Sequence, residues 1–374
     1  MKSIGLCMIV KDEAPIMRRC LAAARPIVDC ALIVDTGSSD DTIAATRAAM
    51  AELGLPGEAI ERPWRDFAHN RSEALAALRS RRPDVDYALM IDADDRVELS
   101  SGFDAAALKQ RLRTDVYNVS TRMNDVSYLR PQLISNRKDF FFKGVLHEFL
   151  ECAEPFEQAR VEDFWVVSVQ DSARNRLADK YLRDAAVLEA ALARETEPAM
   201  RARYSFYLAQ SWRDAGERTK SIAAYLARAD MGGWSEEAFC SLYYAAQQMA
   251  ADGRGLDEVV ATYERAWHAA PHRAEALHGA ARLCRLNEQF QRGFEIAQRG
   301  VDLEPPPNGL FVERWIYDYG LRDELAVNAY WVGEHRACLD ACITLLENPA
   351  LAVTDRPRVA ANARFALGQL LPSS

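Results

Sequence analysis

YALMIDADD, at residues 87–95, combines an apolar run that is typical of a buried strand with three carboxylates at the end of that run. The strand-like part is YALMID at 87–92, and the acidic cluster comprises Asp92, Asp94 and Asp95. A helical pattern at 69–80 precedes the run. The order helix, strand, acidic turn predicts one unit of an α/β sheet.

Two similar units lie upstream of this run. IGLCMIV at 4–10 is followed by an amphipathic stretch at 15–24, and CALIVD at 30–35 is followed by a helical pattern at 42–53. Strands that alternate with helices of this length predict βαβ crossovers and a mainly parallel sheet. Because ligands bind at the carboxyl ends of such strands, Asp12, Asp35 and Asp92 mark a candidate site.

From about residue 175 onward, the sequence changes to continuous helical periodicity. It predicts helix hairpins at 199–229, 236–269 and 273–303, with a looser one at 324–346. Pro271 and Pro305, which close two of these hairpins, are 34 residues apart. This spacing is typical of tetratricopeptide repeats. The sequence therefore predicts an α/β domain at 1–172 and an all-α, tetratricopeptide-like repeat domain at 173–374.

Composition excludes several classes of protein. A net charge of −9 argues against a nucleic-acid partner, because phosphate binding requires a basic surface. We find no apolar stretch long enough for a transmembrane segment, and the N-terminal residues become charged too early for a signal peptide. The eight cysteines are scattered and contain no CxxC pair, as expected of reduced thiols. We therefore expect a cytoplasmic protein.

The Asp-x-Asp pattern at 92–94 indicates a metal site. Alternate residues of an extended chain face the same way, so Asp92 and Asp94 can bind one Mn²⁺ or Mg²⁺ ion that also bridges a diphosphate. Transfer of a sugar from a nucleotide requires such a cation, since negative charge builds up on the leaving diphosphate. Seen alone, the pattern is more often a turn or a helix cap.

Four segments in order supply context: IVDTGSSDDT at 33–42, PWRDFAHNRSEAL at 63–75, IDADD at 91–95 and FFFKGVLHEFL at 140–150. Together they resemble glycosyltransferase family 2, the inverting GT-A transferases, and in particular the branch with tetratricopeptide-like repeats behind the catalytic domain. RYSFYLAQSWRDAGERTKSIAAY at 203–225 and MGGWSEEAFCS at 231–241 resemble the repeat segments of that branch. The resemblance implies transfer of one sugar from a UDP-sugar, with UDP-glucose and UDP-GlcNAc favoured, to a hydroxyl or other nucleophile of a glycan or polypeptide.

The resemblance also implies roles for individual residues at the donor. Asp35 is expected to bind the uracil or ribose, although Thr36 replaces the second Asp of the commoner Asp-Asp-Gly-Ser pattern. Arg71 is expected near the diphosphate; the alternative is a surface helix residue paired with Glu73 or Glu58. The full set of expected nucleotide-sugar contacts is Lys11, Asp12, Glu13, Asp35, Arg71, Asp92, Ala93 and Arg137.

His147 and Glu148 follow the aromatic run that begins at Phe140. In an inverting transfer the acceptor hydroxyl attacks the anomeric carbon directly, so a carboxylate must accept its proton. The family pattern makes Glu148 the candidate base, whereas a His-Glu pair in isolation is more often structural. His147 is expected either as a third metal ligand, beside Asp92 and Asp94, or as an acceptor contact.

The sequence argues against several other classes of enzyme and leaves one main alternative. The first turn, KDEAP, lacks the GxGxxG of a dehydrogenase and the Gly-rich loop of a sugar nucleotidyltransferase. Processive family 2 synthases usually carry a Gln-x-x-Arg-Trp motif and membrane helices, which we do not find here. The main alternative is a repeat-based peptide-binding scaffold with an inactive front domain. In that alternative the repeats hold a peptide. In the transferase they are expected to present a polypeptide or glycan acceptor and to offer a surface for self-association.

Overall fold

The computed structural model describes residues 1–123, 126–307 and 309–371. Its contacts divide the chain into two compact units, Met1–Lys180 and Tyr181–Ser374. The first is an α/β unit and the second is built of helices, so the predicted fold class is confirmed. The predicted limit between residues 172 and 173 falls in the segment that follows the last strand.

The first unit contains a large mixed sheet with helices on both faces and a small hairpin. Its elements are β1 (Ile4–Val10), α1 (Ala14–Ala24), β2 (Cys30–Asp35), α2 (Thr42–Glu52), β3 (Gly57–Glu61), α3 (Phe67–Arg81), β4 (Tyr87–Met90), β5 (Asp95–Leu99), α4 (Ala105–Arg111), β6 (Val116–Met123), β7 (Val126–Ser135), β8 (Phe140–Lys143), β9 (Phe149–Cys152) and β10 (Gln158–Ser168).

The large sheet has the strand order β3-β2-β1-β4-β7-β6-β10-β5. Strands β1 to β4 are parallel, as predicted, because the helices between them act as crossovers. The other half is mixed: β7 is antiparallel to both β4 and β6, and β5 is antiparallel to β10. Because β10 is also parallel to β6, the prediction of a mainly parallel sheet is confirmed, and the antiparallel pairs are those that β7 and β5 form.

Alternation along β1 shows how the sheet is buried on both faces. Leu6 and Met8 belong to one apolar cluster with residues of α1 and α2, whereas Cys7 belongs to a second cluster with residues of α3. All three side chains are fully buried. A strand covered on both faces must be apolar at every position, which explains the uninterrupted run IGLCMIV.

The second unit is a series of helix hairpins. The predicted hairpins at 199–229, 236–269, 273–303 and 324–346 are confirmed as α6 with α7, α8 with α9, α10 with α11 and α12 with α13. The helices are α5 (Lys180–Leu192), α6 (Pro198–Asp214), α7 (Arg218–Asp230), α8 (Ser235–Ala251), α9 (Leu256–Ala269), α10 (Glu275–Leu286), α11 (Phe290–Gln298), α12 (Leu321–Trp331), α13 (His335–Glu347) and α14 (Arg356–Leu370).

A buried ion-pair network joins consecutive hairpins of the second unit. The Arg273 guanidinium lies 2.5 Å from Glu236 of α8 and 2.7 Å from Glu275 of α10, and the arginine is 1% exposed. Glu236 also accepts a hydrogen bond from the backbone N–H of Leu310. Buried charges of this kind are tolerated only when they are paired, so the network fixes how α8 and α10 meet.

In the described residues of both units, no helix combines the length and the apolar composition that crossing a bilayer requires.

Candidate active site

The candidate site lies at the edge of the sheet where β1, β2 and β4 end. These strands are parallel neighbours, so Asp35, the last residue of β2, lies at the same edge as Asp12 and Asp92, which follow β1 and β4, as the sequence predicts. Strand β7 begins near this edge and runs away from it, with Leu133 opposite Leu89 of β4. Because β7 is antiparallel, its earlier residues, including Arg130, lie beside the turn that follows β4.

Arg71 joins two of the predicted site residues. It is 5% exposed, its Nη2 donates to Oδ1 of Asp92, and its Nε lies 2.6 Å from Oε1 of Glu148. Removing a guanidinium from water is costly, and the two carboxylates offset that cost. The alternative for Arg71 as a surface residue is wrong: Glu73 pairs with Arg62 and Glu58 pairs with Arg81.

The small hairpin places Glu148 beside Arg71. Strands β8 and β9 pair with each other, and β8 packs on α3, which carries Arg71. The backbone N–H of Phe142 donates to Oγ of Ser72, the residue next to Arg71, over 2.8 Å. Since Glu148 immediately precedes β9, this packing brings its carboxylate to the guanidinium.

Arg130 is a site residue that the sequence analysis missed. Its Nη2 lies 3.2 Å from Oδ2 of Asp92, and its Nη1 lies 3.7 Å from Oδ2 of Asp95. Burial would raise the pKa of Asp92, but the charges of Arg71 and Arg130 hold it well below its ordinary value. Burial, followed by the neighbouring Asp92 charge, raises the pKa of Asp95 to about 7. The site is thus a compact group of alternating charges.

Asp94 has different surroundings from Asp92. Its carboxylate is buried, and its Oδ2 accepts a 3.0 Å hydrogen bond from the side-chain amide of Asn175. Both oxygens of Asp92 accept from guanidinium groups, so Asp92 is poorly suited to bind a cation as well. Within the described part of the chain, no three His, Cys, Asp or Glu side chains form a metal-binding group. The predicted ligand set of Asp92, Asp94 and His147 is therefore not assembled in the described residues, and a cation at Asp94 stays a prediction.

Glu13 ties the end of β1 to the segment after β10. It is 6% exposed, and its two carboxylate oxygens accept from the backbone N–H of Ala173 at 3.1 and 3.2 Å. Burial raises the pKa of Glu13 to about 7; the hydrogen bond from Ala173 opposes this shift, and the Asp94 charge adds to it. Glu13 therefore lies close enough to the acidic turn to interact with Asp94, and its contact with a nucleotide-sugar stays a prediction.

Two other predicted residues, Asp35 and Asp12, form hydrogen bonds with the loop after β2. Oδ1 of Asp35 accepts from the backbone N–H groups of Gly37 and Ser38, both at 2.9 Å. Asp12 has a left-handed φ of 57°, and its Oδ1 accepts from the N–H of Ser39 at 2.6 Å. Both carboxylates shape this loop, and a contact of either with a nucleotide stays a prediction.

Thr36 replaces the second Asp of the commoner Asp-Asp-Gly-Ser pattern, and its contacts show what it does in this position. Its hydroxyl donates to the backbone carbonyl of Val10 over 3.0 Å, and its backbone N–H donates to the same oxygen over 2.9 Å. The residue is 3% exposed. Thr36 therefore joins the ends of β1 and β2 and does not extend the acidic cluster.

The remaining predicted residues lie in three different places. Lys11 is exposed after β1, Ala93 is buried between the two aspartates of the turn, and His147 is exposed with a left-handed φ of 52° beside Glu148. Arg137 does not join the site. It follows β7 at the opposite edge of the sheet, where Ser135 pairs with Tyr87, and its Nη2 donates to Asp86 over 2.8 Å. That prediction is corrected, because β7 runs away from the acidic turn.

We predict that Glu13→Gln weakens the pH dependence of stability. Because the folded-state pKa of Glu13 is raised to about 7 from 4.5, the stabilisation is fully present below about pH 4.5 and is lost as pH rises through 7. Between about pH 5 and pH 8, the free energy of unfolding of the Gln variant should therefore fall by roughly 2–3 kcal/mol less than that of the unsubstituted protein. The amide oxygen of the variant still accepts from Ala173. Urea unfolding of both proteins between about pH 5 and pH 8 measures this. Parallel pH profiles would contradict it.

The fold and the site define a class: an α/β domain with carboxylates and arginines at the carboxyl edge of its sheet, followed by helical hairpins. Over 159 residues the chain is 34% identical to a TPR repeat-containing protein of Synechococcus elongatus, covering 40% of this chain and 36% of that protein. Over 142 residues it is 29% identical to an uncharacterized glycosyltransferase of Rickettsia felis, covering 37% and 42%.

No family model matches the chain. Among solved structures, S. aureus TarS 1–349 aligns with 77% of this chain and 92% of its own, at 14% identity and a TM-score of 0.36. The chain spans only 36% and 42% of the two curated relatives named above. It is thus similar, over part of its length, to a protein named as a glycosyltransferase and to one with TPR repeats.

Proposed function

We propose that the chain is an inverting glycosyltransferase of family 2 with a GT-A catalytic domain. It transfers one sugar from a UDP-sugar, UDP-glucose or UDP-GlcNAc before others, to a hydroxyl or other nucleophile of a glycan or polypeptide. The observation that supports this most is the buried Arg71, which joins Asp92 of the acidic turn to Glu148 of the small hairpin. Residues from separate parts of the α/β unit thereby meet at the edge where ligands of such sheets bind.

The cations of this site suit a diphosphate leaving group. When the bond to the sugar breaks, negative charge grows on the diphosphate, and fixed positive groups lower the energy of that state. Arg71 and Arg130 are held in place by Asp92 before any ligand arrives. A guanidinium can exchange part of this pairing for phosphate oxygens without moving far, because it carries five donors.

The surroundings of Asp94 suit a divalent cation that is shared with the donor. Mg²⁺ and similar ions are often held by one or two carboxylates together with substrate phosphates. Asp94 supplies one carboxylate whose observed side-chain partner is the neutral amide of Asn175. A bound Mn²⁺ or Mg²⁺ ion would neutralise charge on the leaving diphosphate.

Glu148 is proposed as the base that accepts the acceptor's proton. The Arg71 contact holds its carboxylate at the site, and the side chain remains 12% exposed, so that an acceptor hydroxyl can reach it. His147, which is exposed next to it, is proposed as an acceptor contact. Lys11, Asp12, Glu13, Asp35 and Ala93 are proposed to border the nucleotide and sugar. The helical hairpins are proposed to bind the acceptor or a second copy of the chain.

Ligand-dependent thermal unfolding tests the donor class. A ligand that binds only the folded state stabilises it by about 2.7 kcal/mol at a hundred times its Kd. With Mn²⁺ present, UDP and at least one UDP-sugar should raise the Tm of the protein, whereas ADP and GDP at equal concentration should raise it less. If no uridine nucleotide shifts the Tm, or if all nucleotides shift it equally, the proposed donor site is wrong. If the chain is an inactive scaffold without a donor site, no uridine nucleotide should shift the Tm.

A further inference from the structure

The segment at residues 169–176, which follows β10, belongs to the candidate site. Strand β10 is antiparallel to β5, with Ser168 opposite Asp95. This pairing directs the chain to the acidic turn as β10 ends, and the N–H of Val169 donates to the carbonyl of Asp94 over 3.1 Å. We call residues 169–176 the crossing segment, because they continue from Asp94 towards the elements that surround β1.

Side chains anchor the crossing segment at several points along the edge of the sheet. Asp171 forms a bidentate ion pair with Arg19 of α1, at 2.5 and 2.7 Å. The N–H of Ala173 donates to the carboxylate of Glu13. The guanidinium carbon of Arg174 lies 4.6 Å from the centre of the Phe67 ring at the start of α3. These contacts fix the position of the residue that follows, Asn175.

Asn175 lies between a carboxylate and an ammonium group. Its Nδ2 donates to Oδ2 of Asp94 over 3.0 Å, and its Oδ1 accepts from Nζ of Lys180 over 2.7 Å. A lysine ammonium can only donate and an ionised carboxylate can only accept. The amide therefore has one orientation that satisfies both neighbours, and Lys180 maintains it. Asp94 in turn receives a hydrogen bond from a fixed direction.

We propose that Asn175, oriented by Lys180, is a positioning residue that holds the Asp94 carboxylate ready for a divalent cation. The proposal rests on the proposed function, in which Asp94 binds that cation. Hydrogen-bond partners of metal ligands commonly contribute 10- to 100-fold to metal affinity, because a ligand that is already oriented loses less freedom on binding. The cation site would then be assembled from two stretches about 80 residues apart, the turn after β4 and the crossing segment.

Direct titration of Mn²⁺ tests this inference in the full chain with saturating UDP. Free Mn²⁺ is measured by electron paramagnetic resonance, so that the result does not depend on turnover. Asn175→Ala should raise the Kd for Mn²⁺ about 10- to 100-fold, while the Kd for UDP without cation changes little. Lys180→Met should raise the Kd for Mn²⁺ by a smaller factor, because the amide remains but can turn over.

A double-mutant cycle supplies the control. If Lys180 acts only through the amide, Lys180→Met should cause no further loss in the Asn175→Ala protein. Asn175→Ser, whose hydroxyl is too short to reach Asp94, replaces the alanine variant if that variant does not fold. Equal Mn²⁺ affinity of the unsubstituted protein and a folded Asn175 variant would overturn the role of Asn175 and leave the proposed function intact. Failure of the unsubstituted protein to bind Mn²⁺ would count against the cation in the proposed function and, with it, this inference.

Discussion

Glu148→Gln is expected to lower the rate of sugar transfer by about 10²- to 10⁴-fold, the usual contribution of a general base. Glutamine keeps the shape of the side chain, but its neutral amide cannot accept the proton of the acceptor hydroxyl. Donor affinity should change by a few-fold at most, because Arg71 keeps its pairing with Asp92. Initial rates with a saturating UDP-sugar and acceptor measure the first effect, and titration of UDP measures the second.

A matched control for Glu148→Gln lies in the same hairpin. Glu151 is a partly exposed residue of β9, opposite Phe141, and it is outside the group of charges around Arg71. Glu151→Gln removes an equal charge from the same hairpin but at a distance from Arg71, so it should leave transfer nearly unchanged. Normal transfer by the Glu148 variant would remove Glu148 from the mechanism. Equal losses in both variants would point to damage to the hairpin.

Asp94→Ala is expected to reduce Mn²⁺-dependent release of UDP from a UDP-sugar to the background rate. Asp94 supplies the one carboxylate of the acidic turn whose observed partner is a neutral side chain, so no other residue of the turn can take over its role directly. The fold should survive, because the side chain lies in a turn and its loss leaves one amide without a partner, at a cost of about 1–3 kcal/mol.

Circular dichroism and the Tm show whether the Asp94 variant folds. Asp139→Ala is the matched control, since Asp139 is a carboxylate of the same unit with a 90% exposed side chain. The control should release UDP at the normal rate. If Asp94→Ala also turns over normally in Mn²⁺, the cation site is elsewhere or the reaction needs no cation.

The elements with a strong local pattern were predictable from the sequence. The runs IGLCMIV and CALIVD are buried on both faces of the sheet, and the helical hairpins of the second unit repeat their periodicity several times. Strands β5, β6, β7 and β10 were not predicted. Their order and register arise from pairing between residues far apart in the chain, which a local pattern does not encode.

The same reason explains which site residues could be predicted. Arg71, Asp92 and Glu148 lie in short motifs, and they do meet. Arg130 lies in the site because β7 is antiparallel to β4, so that the start of β7 lies beside the acidic turn. Arg137 lies at the opposite edge of the sheet because it follows the other end of β7. Asn175 reaches Asp94 only because β10 ends beside β5. The positions of these three residues depend on the direction of the strands next to them. The local sequence around each residue therefore did not predict where it lies.

Release of UDP by the purified, unsubstituted protein tests most directly whether the chain is a glycosyltransferase that uses a UDP-sugar. UDP-glucose, UDP-GlcNAc and other UDP-sugars are incubated singly with the protein and Mn²⁺, and the UDP formed is quantified with and without a chelator. We expect at least one UDP-sugar to yield UDP in the presence of Mn²⁺ at a rate above that of the Asp94→Ala protein, and we expect the chelator to abolish the difference. Identical UDP release by the two proteins from every UDP-sugar would contradict it.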